Sequence, residues 1–332
     1  MAGTVEVLAA QVPPLLGGEG GEGGVGRVVG RGGGGMLGGM DEDVGGVGSI
    51  GGGVSEAWLS TLEVNAAFDR PWVEAAVGWL AGGAAAGLVV DVGCGAGGAA
   101  CAFARRAGGE EAAVVAVDRD PRLLAVAGRR AVAEGVADQV RWATGEVGRL
   151  PVAPGAADLV WASGVVHHVA DQQAAVDELA GLLVPGGTLA LVEGGLPLRC
   201  LPHDIGLGRP GLEARIDEAR ARWFDDLRAE LDGPPLPYGW PAALARAGLV
   251  DVRSRSFLAE AAPPLDAVGA AVVRLHLTSA LTELGDRLAA DDRAVLARLL
   301  DPADPADPEG VDRRDDLIVT AVRTVHAATR PG

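Results

Sequence analysis

The chain has 332 residues, a net charge of −17 and 48% apolar side chains, enough for one large α/β domain, or a domain with a cap, around a substantial core. All 28 of its Lys and Arg positions are arginine; none clusters beyond a pair, which excludes a phosphate-tracking nucleic-acid surface and leaves a small molecule as the expected partner. Three cysteines without metal-ligand spacing, no apolar run of membrane-spanning length and no signal-peptide pattern predict reduced thiols, no membrane insertion and a cytoplasmic location.

Residues 1–54 hold a tract in which more than half the positions from Gly17 to Gly53 are glycine. So little side chain cannot offset the backbone entropy of ordering, and this segment is expected to be disordered. Met36 and Met40 offer later starts, so whether residues 1–39 belong to the native protein is left open. Order is expected from Ser55, with a domain over 55–330. Trp58, Leu59, Leu62 and Ala66, then Trp72, Val73, Ala76, Val77 and Leu80, repeat at helical spacing, which predicts two helices separated at Pro71. Trp58, Trp72 and Trp79 are taken as core aromatics.

From Leu88 onward strands and helices alternate. Leu88–Val92 predicts a buried strand, the glycines after it a tight turn, and Ala99–Arg106 a helix. Strands follow at Ala113–Val117, Val140–Ala143, Ala157–Ala162 and Thr188–Val192, with helices at Pro121 to about Glu134 and at Gln172–Leu183. Val184-Pro185-Gly186-Gly187 is expected to be a turn. This rhythm predicts a parallel sheet with right-handed crossovers, its ligands beyond the strands' C-terminal ends. Two stretches depart from it, at about 196–240 and 260–312. They predict an amphipathic helix over Gly211–Leu231 and a helical insertion over Leu265–Leu300. Gly239–Gly248 reads as a short helix, Val250–Phe257 as the sixth strand, Asp301–Glu309 as a loop and Leu317–Val325 as the last strand.

The turn after the first strand fits two ligands. Gly93, Gly95 and Gly98, with Asp118 about twenty residues on, satisfy the dinucleotide fingerprint. Gly93, Gly95 and Gly97, with Asp91 just before them, satisfy D-x-G-x-G-x-G equally well. A pyrophosphate gives no reason for a carboxylate at Asp91, and the downstream residues decide between the two.

In this second pattern the sequence resembles the class I S-adenosylmethionine (SAM)-dependent methyltransferases, in particular the type acting in ubiquinone and menaquinone synthesis. The resemblance rests also on Ser163-Gly-Val-Val-His-His-Val169, on Leu183-Val-Pro-Gly-Gly187 and on Leu150-Pro151-Val152. It implies a Rossmann-like seven-stranded sheet, mostly parallel with the last strand antiparallel, and cap insertions that cover the substrate. It implies SAM as cofactor, transferring a methyl group to a small-molecule O, N or C acceptor. Asp91 would then lie near the cofactor's amino group, with Gly93, Gly95 and Gly97 approaching it through the backbone. Asp118 would hold the ribose diol, beside Arg119. Glu146, where the family usually has Asp, would meet the adenine amino group, and the Val147 N–H a ring nitrogen. Ser163 is a candidate cofactor or substrate contact.

Candidates for a base are His167, Glu193 and His203, with His168, Asp204 and Tyr238 as further possibilities; the family's histidine stretch often lines the cofactor and is structural. A metal at Glu193, His203 and Asp204 is conceivable, but the spacing is not diagnostic and no metal is assigned. The apolar side chains Trp223, Phe224, Leu227, Leu231 and Trp240 suggest an aromatic or polyketide-like acceptor. Two other functions stay open: an NAD-dependent oxidoreductase using the same glycine turn, and a SAM-binding protein without transferase activity. Asp91 and the pairing of His-His-Val with Pro-Gly-Gly speak against the first of these.

Overall fold

The computed structural model describes residues 56–81, 87–107, 113–301 and 309–332. The expectations for residues 1–54, the start at Ser55 and most of the loop at Asp301–Glu309 lie outside these residues. The first described element is a helix, α1 (Glu56–Ala81). It is followed by β1 (Val89–Val92), α2 (Gly98–Ala107), β2 (Val114–Asp118), α3 (Pro121–Ala133), β3 (Val140–Thr144), β4 (Ala157–Ser163), α4 (Gln172–Gly181) and β5 (Leu183–Arg199). The chain ends with α5 (Leu212–Glu230), α6 (Trp240–Arg246), β6 (Val250–Ala261), α7 (Ala267–Leu284), α8 (Ala290–Leu300) and β7 (Val319–Thr329).

The seven strands form one sheet in the order β3-β2-β1-β4-β5-β7-β6. β3, β2, β1, β4 and β5 run parallel, and β7 lies antiparallel between β5 and β6. Strand order reverses between β1 and β4, the place where open α/β sheets leave a crevice for ligands. The central strands are buried on both faces, and alternate residues divide between two cores. Val89, Ala116, Trp161 and Ala190 pack towards α1, α2 and α7. Val90, Val115, Val160 and Leu189 pack towards α4 and α6.

Three elements differ from expectation. First, α1 is continuous through Pro71, although an interior proline costs about 3 kcal/mol. Pro71 is exposed, as is Ala67, whose carbonyl loses its partner to the ring, so water reaches that carbonyl. Phe68, Trp72, Val73 and Ala76 are buried and hold both halves of the helix against the sheet. Second, Pro185-Gly186-Gly187 is a bulge within β5 and not a turn before it. Ala157 pairs with Leu183 and Leu159 with Thr188, while Gly186 N–H donates to Arg330 and Arg330 N–H to Gly187. α4 accordingly stops at Gly181, two residues short of expectation. β5 then runs past Glu193, through a second irregularity at Gly194 and Gly195, to pair Arg199 with Thr320. Third, the long helical stretch breaks at Gly285, which has φ +49°, into α7 and α8.

Candidate active site

The site is built at the C-terminal ends of the central strands. β1 delivers Asp91 and the turn Gly93–Gly97, whose three odd-numbered glycines all have positive φ, at 68°, 52° and 78°. Two of these glycines are required by close packing. A Cβ on Gly93 would lie 2.3 Å from Val165 Cγ2, and one on Gly97 2.7 Å from Ala127 Cβ. Gly95 differs, because nothing lies within 4 Å of where its Cβ would stand. Its bare backbone faces open space, as a cradle for a closely approaching ligand requires.

Asp118, at the end of β2 and buried, ties this turn together. Its Oδ2 accepts from the Gly95 N–H at 2.9 Å and its Oδ1 from the Asp120 N–H at 3.0 Å. Burial pushes its carboxyl above the usual range, against those two N–H groups. α3 is capped by Asp120, which accepts from Arg122 N–H at 2.8 Å, so Asp118 is not spent on capping. Each of its oxygens keeps a second lone-pair direction for a hydroxyl donor.

Asp91 is buried, and its Oδ2 has no hydrogen-bond partner. Burial pushes its carboxyl up to about 7, with the Asp118 charge adding to the effect. It lines a cavity of about 200 Å³ between α1, the glycine turn and the end of β4, together with Asp69, Trp72, Trp161 and Ser163. Trp161 Nε1 also lacks a partner, and Asp69 Oδ1 and Trp72 Nε1 make no hydrogen bond of ordinary geometry, although the Trp72 indole lies close enough to Asp69 to lower its carboxyl against the effect of burial. Unsatisfied buried polar groups are costly and call for an explanation. Two carboxylates in one cavity suit an ammonium group.

Glu146, Val147 and Arg119 do not line this cavity. Glu146 and Arg119 are exposed, Glu146 and Val147 beyond β3 and Arg119 beyond β2, on the side of β1 away from β4. The sequence-predicted residues thus run along one sheet edge, from Glu146 through Asp118 and the glycine turn to Ser163. Asp69 was missed by sequence reasoning. Its signal was a carboxylate set directly beside the apolar stripe of α1, between Phe68 and Trp72.

A second group lies next to the glycine turn, through Val165. Glu193, buried at the end of the core part of β5, accepts from Val165 N–H at 3.1 Å and Val166 N–H at 2.9 Å through Oε1. Its Oε2 stands 2.7 Å from His167 Nδ1. The carboxylate therefore fixes the turn Val166–His168 and favours the tautomer in which Nδ1–H donates to it, which leaves Nε2 of His167 with its lone pair. Among the described residues Nε2 makes no hydrogen bond. The histidine stretch forms a single 3-10 turn, and the following helix begins only at Gln172, capped by Asp171. His168 is exposed and packs on His167, with ring centroids 3.9 Å apart. Arg228 of α5, also missed by sequence reasoning, reaches across to the carbonyls of His167, Val169 and Ala170 at 3.2, 2.7 and 3.2 Å.

The remaining candidates stand apart. His203 and Asp204 are exposed in the β5–α5 loop, and the metal group conceived from them and Glu193 does not assemble among the described residues. Tyr238 is engaged with Gln173 at 3.0 Å and with the Arg246 guanidinium over its ring. Trp72 stacks on Trp161 in the core, Trp79 packs edge-on to Phe257, and the side chain of Trp58 lies outside the described residues.

Residues 90–191 match the family described as methyltransferase domain. An arsenite methyltransferase of Halobacterium salinarum is 33% identical over 144 residues, 43% of this chain and 36% of that protein. The ubiquinone/menaquinone biosynthesis C-methyltransferase UbiE of Roseobacter denitrificans is 36% identical over 124 residues, 37% of this chain and 48% of that protein. The chain thus spans less than half the length of these curated relatives. Among solved structures, the YcgJ protein of Bacillus subtilis aligns with a TM-score of 0.45 at 20% identity, covering 77% of this chain and 98% of that one. The glycine turn, β4 and β5 as far as Leu191 all fall within the stretch that matches a methyltransferase domain.

Proposed function

We propose that the whole chain is a SAM-dependent methyltransferase that alkylates a small-molecule acceptor. The observation that carries this reading is the unpartnered Asp91 carboxylate oxygen in the cavity at the glycine turn. A dinucleotide would set a pyrophosphate against the turn, and a second anion there is repelled. The amino-acid end of SAM brings an ammonium instead. The residues therefore fit this cofactor. Asp91, with Asp69 facing the same cavity, would hold the ammonium; Asp118 would hold the ribose hydroxyls; Glu146 and the Val147 N–H would meet the adenine; and Gly95 would give way to the ligand.

When bound, SAM supplies an electrophilic methyl group on a good leaving group. The protein's work is then to align the acceptor, exclude water and, where the acceptor needs it, remove a proton. Alignment alone contributes up to about 7–11 kcal/mol. His167 Nε2 is the group suited to take the proton from an acceptor O–H or N–H, and Glu193 stabilises the imidazolium that forms. Ser163, at the end of β4, is a contact for cofactor or acceptor. The helices α5, α7 and α8, which follow β5 and β6, form the cap over the acceptor. The charge of −17 favours a small neutral or cationic acceptor over nucleic acid. Relatives named for arsenite and for ubiquinone/menaquinone biosynthesis are in keeping with a small acceptor. The apolar faces of Trp223 and Phe224 on α5 favour an aromatic one.

The test is a thermal-shift titration with S-adenosylhomocysteine, SAM and NAD on the wild type and on Asp118→Ala, followed by methyl transfer from labelled SAM to an acceptor panel. At about a hundred times its dissociation constant a ligand stabilises by about 2.7 kcal/mol. The expected result is a shift with the SAM pair alone, lost in Asp118→Ala. A shift with NAD alone overturns the reading, and binding without turnover on any acceptor leaves a SAM-binding protein.

A further inference from the structure

A second cluster of chemistry-bearing side chains lies where the end of β5 meets α5 and α7. Cys200 follows the last residue of β5, Glu213 sits in the first turn of α5, and His276 stands in the middle of α7. Their ligand atoms, Sγ, a carboxylate oxygen and a ring nitrogen, all lie within 4.8 Å of one another. Cys200 is 1% and Glu213 9% exposed. The two carboxylate oxygens of Glu213 are used unequally. Oε1 accepts from Cys200 N–H at 2.6 Å and Leu201 N–H at 3.2 Å, whereas Oε2 stands 4.0 Å from the Arg199 guanidinium, and the carboxylate also meets the Cys200 side chain. Glu213 is therefore held in place by two backbone N–H groups, with a carboxylate oxygen within 4.8 Å of the Cys200 and His276 ligand atoms.

We propose that Cys200, Glu213 and His276 bind one divalent cation of the zinc class, with a fourth position open to water or a small anion. A thiolate, an imidazole and a carboxylate form the mixed soft and borderline set that suits zinc, and three protein ligands with an open position are a common pattern for it. Since no pair lies more than 4.8 Å apart, the atoms need close by no more than about 1.5 Å to reach the separations of a tetrahedral shell with bonds of about 2.0–2.3 Å. Each ligand comes from a different element, so the ion would tie β5, α5 and α7 together. Burial keeps the His276 ring neutral, the form that ligates. Burial, and then the Glu213 charge, keep the Cys200 thiol protonated in the metal-free chain. Binding exchanges the S–H bond for a metal–sulfur bond and releases that proton to solvent, with no change of oxidation state. Arg199 and Arg220 bring positive charge to the neighbourhood of His276, and Asp217, paired with Arg199, offsets part of it.

The experiment uses the full chain after chelator treatment, titrated with cobalt(II) and then with zinc. The expected result is one equivalent of cobalt bound with a thiolate-to-cobalt charge-transfer band, which zinc abolishes by displacement. Cys200→Ser should remove the band, and Cys200→Ser and His276→Gln should each weaken binding by about 100-fold or more. Circular dichroism and the melting temperature of each variant establish that it is folded, and His276→Gln serves alone should Cys200→Ser fail to fold. The absence of saturable binding, binding indifferent to both substitutions, or a charge-transfer band that persists in Cys200→Ser and vanishes in Cys94→Ser or Cys101→Ser overturns the proposal.

Discussion

At the scale of single residues, Asp91 is held at a cost that only a ligand relieves. A carboxyl with a folded-state value of about 7 and an unfolded value near 3.9 binds its proton more tightly in the folded chain. Its full share of stability is therefore present below about pH 4 and is lost as pH rises, so that above about pH 7 ionised Asp91 costs up to about 4 kcal/mol relative to its protonated form. Asp91→Asn removes that titration. The ligand-free variant should match the wild type at pH 4, outlast it in urea at pH 8, and bind S-adenosylhomocysteine more weakly. Loss of stability at pH 8 instead would mean that the charge is structural. His167 and Glu193 make the complementary case. His167→Gln should lower kcat by about 10²–10⁴ on an acceptor that must lose a proton, with little change in cofactor affinity. On an acceptor that needs no deprotonation the loss should vanish. Asp91 was legible in the sequence because its spacing from the glycines is a local property. The His167–Glu193 pair was not: each residue was visible alone, but their contact spans 26 positions and depends on where β5 ends.

At the scale of elements, the glycine turn offers a test that separates packing from ligand access. Alanine at Gly93 must adopt positive φ and push into Val165, so Gly93→Ala should cost several kcal/mol and disturb the turn that carries His167. Alanine at Gly95 meets no atom within 4 Å, so Gly95→Ala should cost about 1–2 kcal/mol for its positive φ. Its Cβ would nevertheless fill the space left for the ligand, and cofactor affinity should fall more than stability. Calorimetric titration beside urea denaturation of the two variants checks both halves of this expectation. Equal loss of affinity and stability in Gly95→Ala would remove the special role of the open cradle. Two of the elements that sequence reasoning misjudged share one cause. Proline and glycine signals were weighed locally, whereas α1 keeps Pro71 on its exposed side with buried neighbours on both flanks. Pro185-Gly186-Gly187 likewise stays in β5 because Arg330 of the neighbouring strand end closes the bulge.

At the scale of the whole molecule, the parallel part of the sheet was legible because alternation with helices leaves few topologies. The packing of α5, α7 and α8 was not, since amphipathic helices name a buried face but not the element that buries it. The net charge of −17 acts at this scale alone. Its self-repulsion opposes the compact state, whereas the ion pairs that salt also weakens are mostly at the surface. Arg70–Glu74, Arg222–Glu218 and Arg287–Asp226 all have both side chains at least 36% exposed, and such pairs contribute about 0–1 kcal/mol each. Raising ionic strength from 0.01 to 0.15 M shortens the screening length from about 30 to about 8 Å. That range damps the summed repulsion across the domain more than contacts of about 3 Å. The melting temperature should therefore rise with sodium chloride over this range, and the chain should pass through heparin and DNA columns unretained at low salt. A melting temperature that falls with salt would mean that the partly buried networks, Arg215–Asp292 and Arg105–Glu134 foremost, outweigh the net charge in holding the fold together.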